Sequence, residues 1–311
     1  MRPLYPVLFT VVAIACAGGR GTAPAEPRVV RYLTPGSPGA FSAGLTERVR
    51  AAMPGTEVQS VHTAGSFVVL SSLQQGKGDF GFSLADVAYM AYRKGLDGEL
   101  YPHTNLRAVA VRWMSTMYAL APRDGQIRSI ADLKGLRVGI VRPGSAGELL
   151  TRIILEAHGL SYEDVRPVFT EPENLAERIR SGDLDAAMFP ATPLNDVKQL
   201  IDRLELRVVE LDRAVVRRLQ GEYPFIKSVS LETGLVGSGS RLSVGVDSVL
   251  VCRADLDEQV VYGLTRVFYA ILSDMARTQP GVDPNNAAAA PIPLHPGAAR
   301  FYREQQVLNE S

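Results

Sequence analysis

Hydrophobic and polar residues alternate along most of the chain in a pattern typical of an α/β protein. From Arg28 onward, short runs rich in β-branched and aromatic residues are followed by longer segments with apolar residues at helical spacing. The pattern predicts strands separated by helices at about 43–53, up to Leu73, after Asp86, up to His158, from Asn174 and over 257–278. Such alternation favours parallel strands covered by helices.

Two β-like runs divide this pattern into halves. The chain leaves the first half through Met117–Pro122 and returns to it through Val249–Arg253. We therefore expect two α/β lobes, with residues 28–117 and 251–311 in lobe 1, residues 118–250 in lobe 2, and a ligand cleft between them. In such sheets, ligands bind at the carboxyl ends of the strands.

The segment Arg137–Glu156 runs from a strand through a Pro-Gly-Ser-Ala-Gly loop into a helix. The first backbone N–H groups of a helix lack intrahelical partners and favour a negative group. Neither the Walker A pattern nor the dinucleotide fingerprint is present in this loop. Ser145 and Glu148 also have the spacing of a capping box, in which the side chains satisfy those donors themselves. Both interpretations, an anion site and a capped helix start, remain open.

Charge and composition exclude some classes of partner. The 33 Lys and Arg residues balance 33 Asp and Glu residues, so no global charge favours nucleic acid or an anionic membrane surface. The four histidines show no metal-ligand spacing, and we expect neither a metal nor a cofactor. Cys252 lies within an apolar strand run, which indicates a small buried residue and not an enzyme nucleophile. Asp86 is expected to cap a helix, and His158 and His295 to be structural.

The N-terminal residues 1–27 predict export. Arg2 precedes an apolar run over Val7–Ala17, which has signal-peptide length and is too short to span a bilayer. The tetrapeptide ending at Cys16 resembles a bacterial lipobox, and a Gly- and Pro-rich tether follows to Pro27. Lipid attachment at Cys16 and ordinary cleavage at an Ala-x-Ala site remain the two alternatives, with the protein periplasmic or held on the outer face of the cytoplasmic membrane.

Several segments together resemble one known family. They are TPGSPGAFSAGL, HTAGSFVVL, GKGDFGFSLADVAYMAY, SIADLKGLRVGIVRPGSAGE, GDLDAAMF, EYPFIKS, VGVDSVLVCRADLDEQVVY and IPLHPGAARFYRE. In order and spacing the chain is similar to the TAXI class of extracytoplasmic solute-binding proteins of TRAP transporters. The resemblance implies a type II periplasmic-binding-protein fold, a small organic acid or amino acid as ligand, and a TRAP membrane permease as partner.

Some positions depart from that family's usual pattern. Members commonly have Gly-Gly-Thr-Tyr-Tyr where this chain has Pro38–Ser42, and Gln-Ala-Asp where it has Leu84–Asp86. Phe41 and Leu84 thus replace polar groups with apolar ones. This predicts a ligand with one acidic end and a less polar body, such as an oxo acid, in preference to glutamate. The alternative is that both side chains face the core.

The Ser-, Thr- and Gly-rich loops at the predicted strand ends supply the candidate ligand-binding residues. Hydroxyl or backbone donors, an apolar wall and one cation are expected from Ser37, Phe41, Ser42, Thr63, Gly65, Ser66, Leu84, Arg142, Ser145, Gly147 and Thr192. The expected function is capture of a small carboxylate by a monomer whose lobes close on it, without chemistry. A ligand sensor for a membrane histidine kinase and a transferase on the same fold are the alternatives.

Overall fold

The computed structural model describes residues 28–35, 40–96, 101–191, 194–231, 240–279 and 282–307. Its strands are β1 (Arg28–Pro35), β2 (Thr56–Thr63), β3 (Phe80–Leu84), β4 (Leu106–Pro122), β5 (Arg137–Ile140), β6 (Arg166–Phe169), β7 (Ala186–Ala191), β8 (Leu206–Val208), β9 (Lys227–Leu231) and β10 (Arg241–Arg253). Its α-helices are α1 (Ala40–Ala52), α2 (Ser66–Gln74), α3 (Ala85–Lys94), α4 (Ala146–Ala157), α5 (Pro172–Arg180), α6 (Leu194–Arg203), α7 (Arg213–Glu222), α8 (Glu258–Ala276) and α9 (Pro296–Glu304). Short 3-10 helices cover Ile130–Leu133 and Pro284–Asn286.

The strands in the described part of the chain form one ten-stranded sheet. Its order is β2-β1-β3-β10-β4-β7-β5-β6, with β8 on β4 and β9 on β10. Strands β1 to β3 run parallel to one another, as do β5 to β7, whereas β4 and β10 run antiparallel to each other. The predicted parallel pattern therefore holds at both ends of the sheet, and a long antiparallel pair joins the ends.

Strands β4 and β10 lie in the middle of the sheet and connect its two groups of parallel strands. Near β3, Val111 pairs with Val249, and farther along β4, Thr116 pairs with Gly245 and with Ala191 of β7. We call β1–β3, with 106–111 of β4 and 249–253 of β10, the first half. The second half comprises β5–β9, with 116–122 of β4 and 241–245 of β10. The two joining strands were predicted, while the lobe boundaries stay a prediction.

Three clusters of buried hydrophobic residues pack the two faces of the sheet. One, the shared cluster, contains residues of both halves, including Leu70 of α2 and Leu150 of α4. The first cluster, with Tyr32, Phe82 and Phe268, belongs to the first half. The second cluster, with Tyr118 and Phe189, belongs to the second half. The halves are thus joined by a common core on one face and carry separate cores on the other.

Local structure supports several assignments made from the sequence. Cys252 is completely buried, and burial raises the pKa of its thiol, which makes the residue a poor nucleophile. His158 follows the last turn of α4, and the Nδ1 atom of His295 accepts a 3.2 Å bond from the Gly297 N–H at the start of α9.

Within the described residues, no helix has both the length and the apolar character required to cross a bilayer.

Candidate functional site

Three helices begin directly after strands at the carboxyl edge of the sheet. Helices α2, α3 and α4 follow β2, β3 and β5, and they start at Ser66, Ala85 and Ala146. Their N-caps are Gly65, Leu84 and Ser145, which are three of the residues predicted to form the site. The structure thus places helix starts where the sequence pattern predicts ligand loops.

The starts of α2 and α4 come from different halves of the sheet and meet. A Cβ atom built on Gly65 would lie 3.8 Å from the carbonyl oxygen of Gly144 and 4.0 Å from the Cα atom of Ser145. Gly65 has a φ angle of 145°, a conformation that favours glycine. The predicted loops 63–66 and 142–147 therefore lie side by side at the junction of the halves.

The hydroxyl groups of the 63–66 loop connect neighbouring strands of the first half. Thr63 Oγ1 donates a 3.2 Å hydrogen bond to the carbonyl oxygen of Thr34 in β1, and Ser66 Oγ accepts a 3.3 Å bond from the Leu84 N–H. Helix α2 has no side-chain cap, because its N-cap is Gly65. The first N–H groups of α2 thus remain open to an acceptor other than a capping side chain.

Ser145 caps α4, which is one of the two interpretations that the sequence left open. Its Oγ atom accepts a 3.2 Å bond from the Glu148 N–H and donates a 2.7 Å bond to the Arg142 carbonyl oxygen. The reciprocal half of the capping box is not formed, because the Glu148 carboxylate accepts a 2.9 Å bond from the Tyr162 hydroxyl. The helix start is capped once, and an anion at its remaining donors stays a prediction.

Gly147 and Arg142 have contacts of their own within the second half. A Cβ atom on Gly147 would lie 2.6 Å from both Pro190 Cδ and Val141 Cγ2, so this glycine permits close packing of α4 against the end of β7. Arg142 Nη2 donates a 2.9 Å bond to Glu171 Oε2, and both side chains are half-exposed. Its charge is therefore already paired with a carboxylate in this structure, while its role toward a ligand stays a prediction.

The remaining predicted residues are placed only in part. Leu84 is partly buried and packs against the shared cluster, which fits the alternative that it contributes to the core. The backbone of Phe41 and Ser42 lies in the first turn of α1, whereas their side chains, together with Cys16, Ser37 and Thr192, lie outside the described residues.

Asp86 does not have the capping role expected from the sequence. The N-cap of α3 is Leu84, and Asp86 is the second residue of the helix. Its side chain is completely buried, and its Oδ1 atom accepts a 2.8 Å bond from the Val87 N–H. Burial raises the pKa of this carboxyl to about 7, an effect that the backbone bonds only partly oppose.

Arg112 is a residue of this region that the sequence pattern did not single out. It lies on β4 where the strand passes from one half to the other, and its guanidinium carbon lies 4.7 Å from the centroid of the Phe82 ring. Burial lowers the pKa of the guanidinium to about 9, and nearby Tyr32 partly opposes this shift. The side chain remains charged at neutral pH. It places a cation on the segment of β4 that passes between the halves.

A separate cavity of about 550 Å³ lies in the second half, away from these loops. Its wall includes Arg128, His158, Glu210 and Asp212. His158 contacts Ile154 O through Nδ1 at 2.8 Å and accepts a bond from the Asp212 N–H through Nε2 at 3.3 Å. Because these groups join α4 to the start of α7, we interpret them as structural and place the candidate site at the junction of the halves.

A single family model matches most of the chain. The model of the NMT1-like family matches residues 42–305, which covers every described strand except β1. The chain belongs to the NMT1-like family. The match includes both joining strands and the helix starts that meet at the junction.

Solved structures show the fold of this NMT1-like protein. XAC2383 from Xanthomonas citri, bound to chloride ion, has a TM-score of 0.53 and 14% identity over 90% of this chain and 98% of its own. A putative sulfonate-binding protein of an ABC transporter from Methylobacillus flagellatus has a TM-score of 0.51 and 20% identity over 92% and 79%. A binding protein of an ABC phosphonate transporter from Pseudomonas aeruginosa has a TM-score of 0.52 and 12% identity over 79% and 75%. The predicted α/β periplasmic-binding-protein fold is confirmed.

Proposed function

We propose that this NMT1-like protein is an exported solute-binding protein that captures a small organic acid and presents it to a membrane permease. The observation that carries the proposal is the meeting of the α2 and α4 starts, since Gly65 and Gly144 come from different halves. A ligand that contacts both loops binds the closed arrangement of the halves better than an open one, and so shifts the population toward closure.

The chemistry of the junction favours an anion. Helix starts offer convergent N–H donors, and hydrogen bonds to an ionised group contribute about 1.5–3 kcal/mol each. Three or four such bonds would support micromolar affinity after the costs of association. The sulfonate- and phosphonate-binding proteins that share the fold are named for anionic solutes, which supports the same class of ligand here.

The transporter type rests on the segments that resemble TAXI proteins. That resemblance favours a TRAP permease, whereas two of the structural neighbours are named as parts of ABC transporters. The proposal includes export through residues 1–27, with Cys16 as the preferred lipid attachment site, and a binding role without catalysis. A gene for a TRAP membrane subunit beside this one would support uptake. A neighbouring gene for a histidine kinase would support the alternative of a ligand sensor.

A thermal-shift screen tests the ligand class. We expect carboxylates to raise the melting temperature, with a branched-chain oxo acid more effective than glutamate, because Phe41 replaces a polar position of the family pattern. Ligand at 100 times its Kd stabilises the folded state by about 2.7 kcal/mol, a shift that is readily measured. Neutral sugars of similar size are the control, and stabilisation by sugars alone would contradict the proposal.

A further inference from the structure

Asp86 is a buried acidic residue in the first turn of α3, and its Oδ2 atom has no hydrogen-bond partner among the described residues. Its Oδ1 atom accepts a 2.8 Å bond from the Val87 N–H. A buried oxygen without a partner favours the protonated form of a carboxyl group. Burial raises the pKa of this carboxyl to about 7, so the group gains or loses its proton near neutral pH.

The first turn of α3 lies beside the starts of α2 and α4. The N–H group of Leu84, the N-cap of α3, donates a 3.3 Å bond to Oγ of Ser66, the first residue of α2. Gly65, the N-cap of α2, lies against Gly144 at the start of α4. Helix α3 also packs directly against both α2 and α4. The three helix starts therefore form one group, and Asp86 lies two residues from the bond that joins two of them.

A carboxylate ligand at these helix starts and an ionised Asp86 would oppose each other. Consecutive Cα atoms are about 3.8 Å apart, so an acid bound beside Ser66 would lie about 10–15 Å from the Asp86 carboxyl group. At an effective dielectric constant of about 20, two unit charges at this separation change each other's binding equilibrium by about tenfold. Because the carboxyl group is buried, salt screens this repulsion only weakly.

The charged groups nearest to Asp86 on the neighbouring elements have partners of their own. On β10, Asp247 follows directly on the register of the α3 start and is 2.6 Å from Lys227. On α4, the Glu148 carboxylate accepts a 2.9 Å bond from the Tyr162 hydroxyl and lies 3.8 Å from Arg152. Helix α2 and strand β3 contain no charged residue, and the cations of α3 lie in its last turn. The ligand's charge would therefore act mainly on Asp86.

We infer that binding of an acid at the junction is coupled to uptake of one proton from the solvent by Asp86, so that the acid binds more tightly below neutral pH than above it. This inference rests on the proposed function and describes the regulation of the same site. Because its Oδ2 atom is buried, Asp86 acts through space and does not itself contact the ligand. Capture of the solute then becomes stronger as the surroundings become more acidic.

Calorimetry on three proteins at about pH 6 and about pH 8.5 tests this coupling. The probe is 2-oxoisovalerate, or glutamate if it binds more tightly. The proteins are wild type, Asp86→Asn and Asp124→Asn, a control that removes a charge at an exposed turn. From the lower to the higher pH, wild type should lose affinity by about five- to tenfold more than Asp86→Asn does. Asp124→Asn should behave as wild type. His62, beside the 63–66 loop, is present in all three, so any effect of its own proton cancels in this ratio.

The heat of binding also measures proton uptake directly. Titrations of wild type at about pH 7.5 in phosphate and in Tris, which differ in ionisation enthalpy, should show uptake of about half a proton per acid bound. Asp86→Asn should lose this uptake and should bind the acid as tightly as wild type at the lower pH. A role of Asp86 in structure alone would instead weaken binding by the same factor at both pH values.

The outcomes separate this inference from the proposed function. Equal pH effects in wild type and Asp86→Asn, or binding without proton uptake, would overturn the coupling, although the protein would remain a solute-binding protein. Equal weakening of Asp86→Asn at both pH values would also overturn it. If wild type binds neither acid, the proposed function fails and the inference fails with it. Should Asp86→Asn not fold, as judged by circular dichroism, proton uptake by His62→Gln decides: retained uptake supports the coupling, and lost uptake contradicts it.

Discussion

The wild-type protein is expected to become less stable as the pH rises from about 4 to about 7, because Asp86 loses its proton over this range. The Asp86→Asn variant, which has no carboxyl group at this position, is expected not to show this loss. The wild-type carboxyl is completely buried, and its Oδ2 atom has no hydrogen-bond partner in the structure described. Burial raises its pKa from 3.8 to about 7. The folded protein therefore holds this proton more tightly than the unfolded chain does.

The sign and size of the effect follow from linkage. A group whose folded pKa is raised gives stability that is fully present below its unfolded pKa and is lost as the pH rises through the folded pKa. A shift of about three pKa units corresponds to about 4 kcal/mol between pH 4 and pH 8. Acids with lowered pKa values, such as Asp185, act in the opposite direction, so the informative quantity is the difference between wild type and variant.

Urea unfolding across this pH range measures that difference. The free energy of unfolding of Asp86→Asn, minus that of wild type, should grow by about 4 kcal/mol from pH 4 to pH 8. Asp124→Asn, at an exposed turn, is the control for loss of one negative charge. Parallel profiles for wild type and Asp86→Asn would show that the buried carboxyl does not titrate in this range.

Replacement of Gly147 by Ala is expected to destabilise the protein by about 2–3 kcal/mol, although alanine is the better helix former. The added methyl group would lie 2.6 Å from Pro190 Cδ and 2.6 Å from Val141 Cγ2. A proline ring cannot rotate away, so α4 must move from the end of β7. That movement would also displace the Ser145 cap and weaken acid binding.

Gly221→Ala is the matched control for this change. Gly221 is also helical, in α7, but a Cβ atom there meets nothing within 4 Å. The substitution should therefore stabilise the protein by up to about 1 kcal/mol, as helix propensity predicts. Chemical denaturation compares the two variants, and a Gly147→Ala protein as stable as Gly221→Ala would contradict the close packing described at the start of α4.

Features set by local sequence were predictable. Strand-to-helix loops have distinctive Gly, Ser and Thr residues, and the structure starts α2, α3 and α4 within a few residues of the expected positions. The Ser145 cap is also local, because it depends on residues three apart in sequence. By contrast, the short strand β8 was not predicted, since three residues give too short a pattern.

Features set by long-range pairing were not predictable. Arg107 and Arg112 have no distinctive spacing within the apolar run of β4, and only the pairing of β4 with β10 and β7 shows that Arg112 lies where the strand passes between the halves. The same holds for Asp86. An acidic residue at a helix start is typical of a cap, and only the packing around α3 shows that this carboxyl is buried. The partner of Arg142, Glu171, is 29 residues away in sequence.

A crystal structure grown with 2-oxoisovalerate tests the central claim, that a small acid binds at the junction of the halves. The account predicts the carboxylate within hydrogen-bond distance of the first N–H groups of α2 or α4, between the loops 63–66 and 142–147. Acid bound only outside the junction, such as in the cavity beside His158, would contradict it.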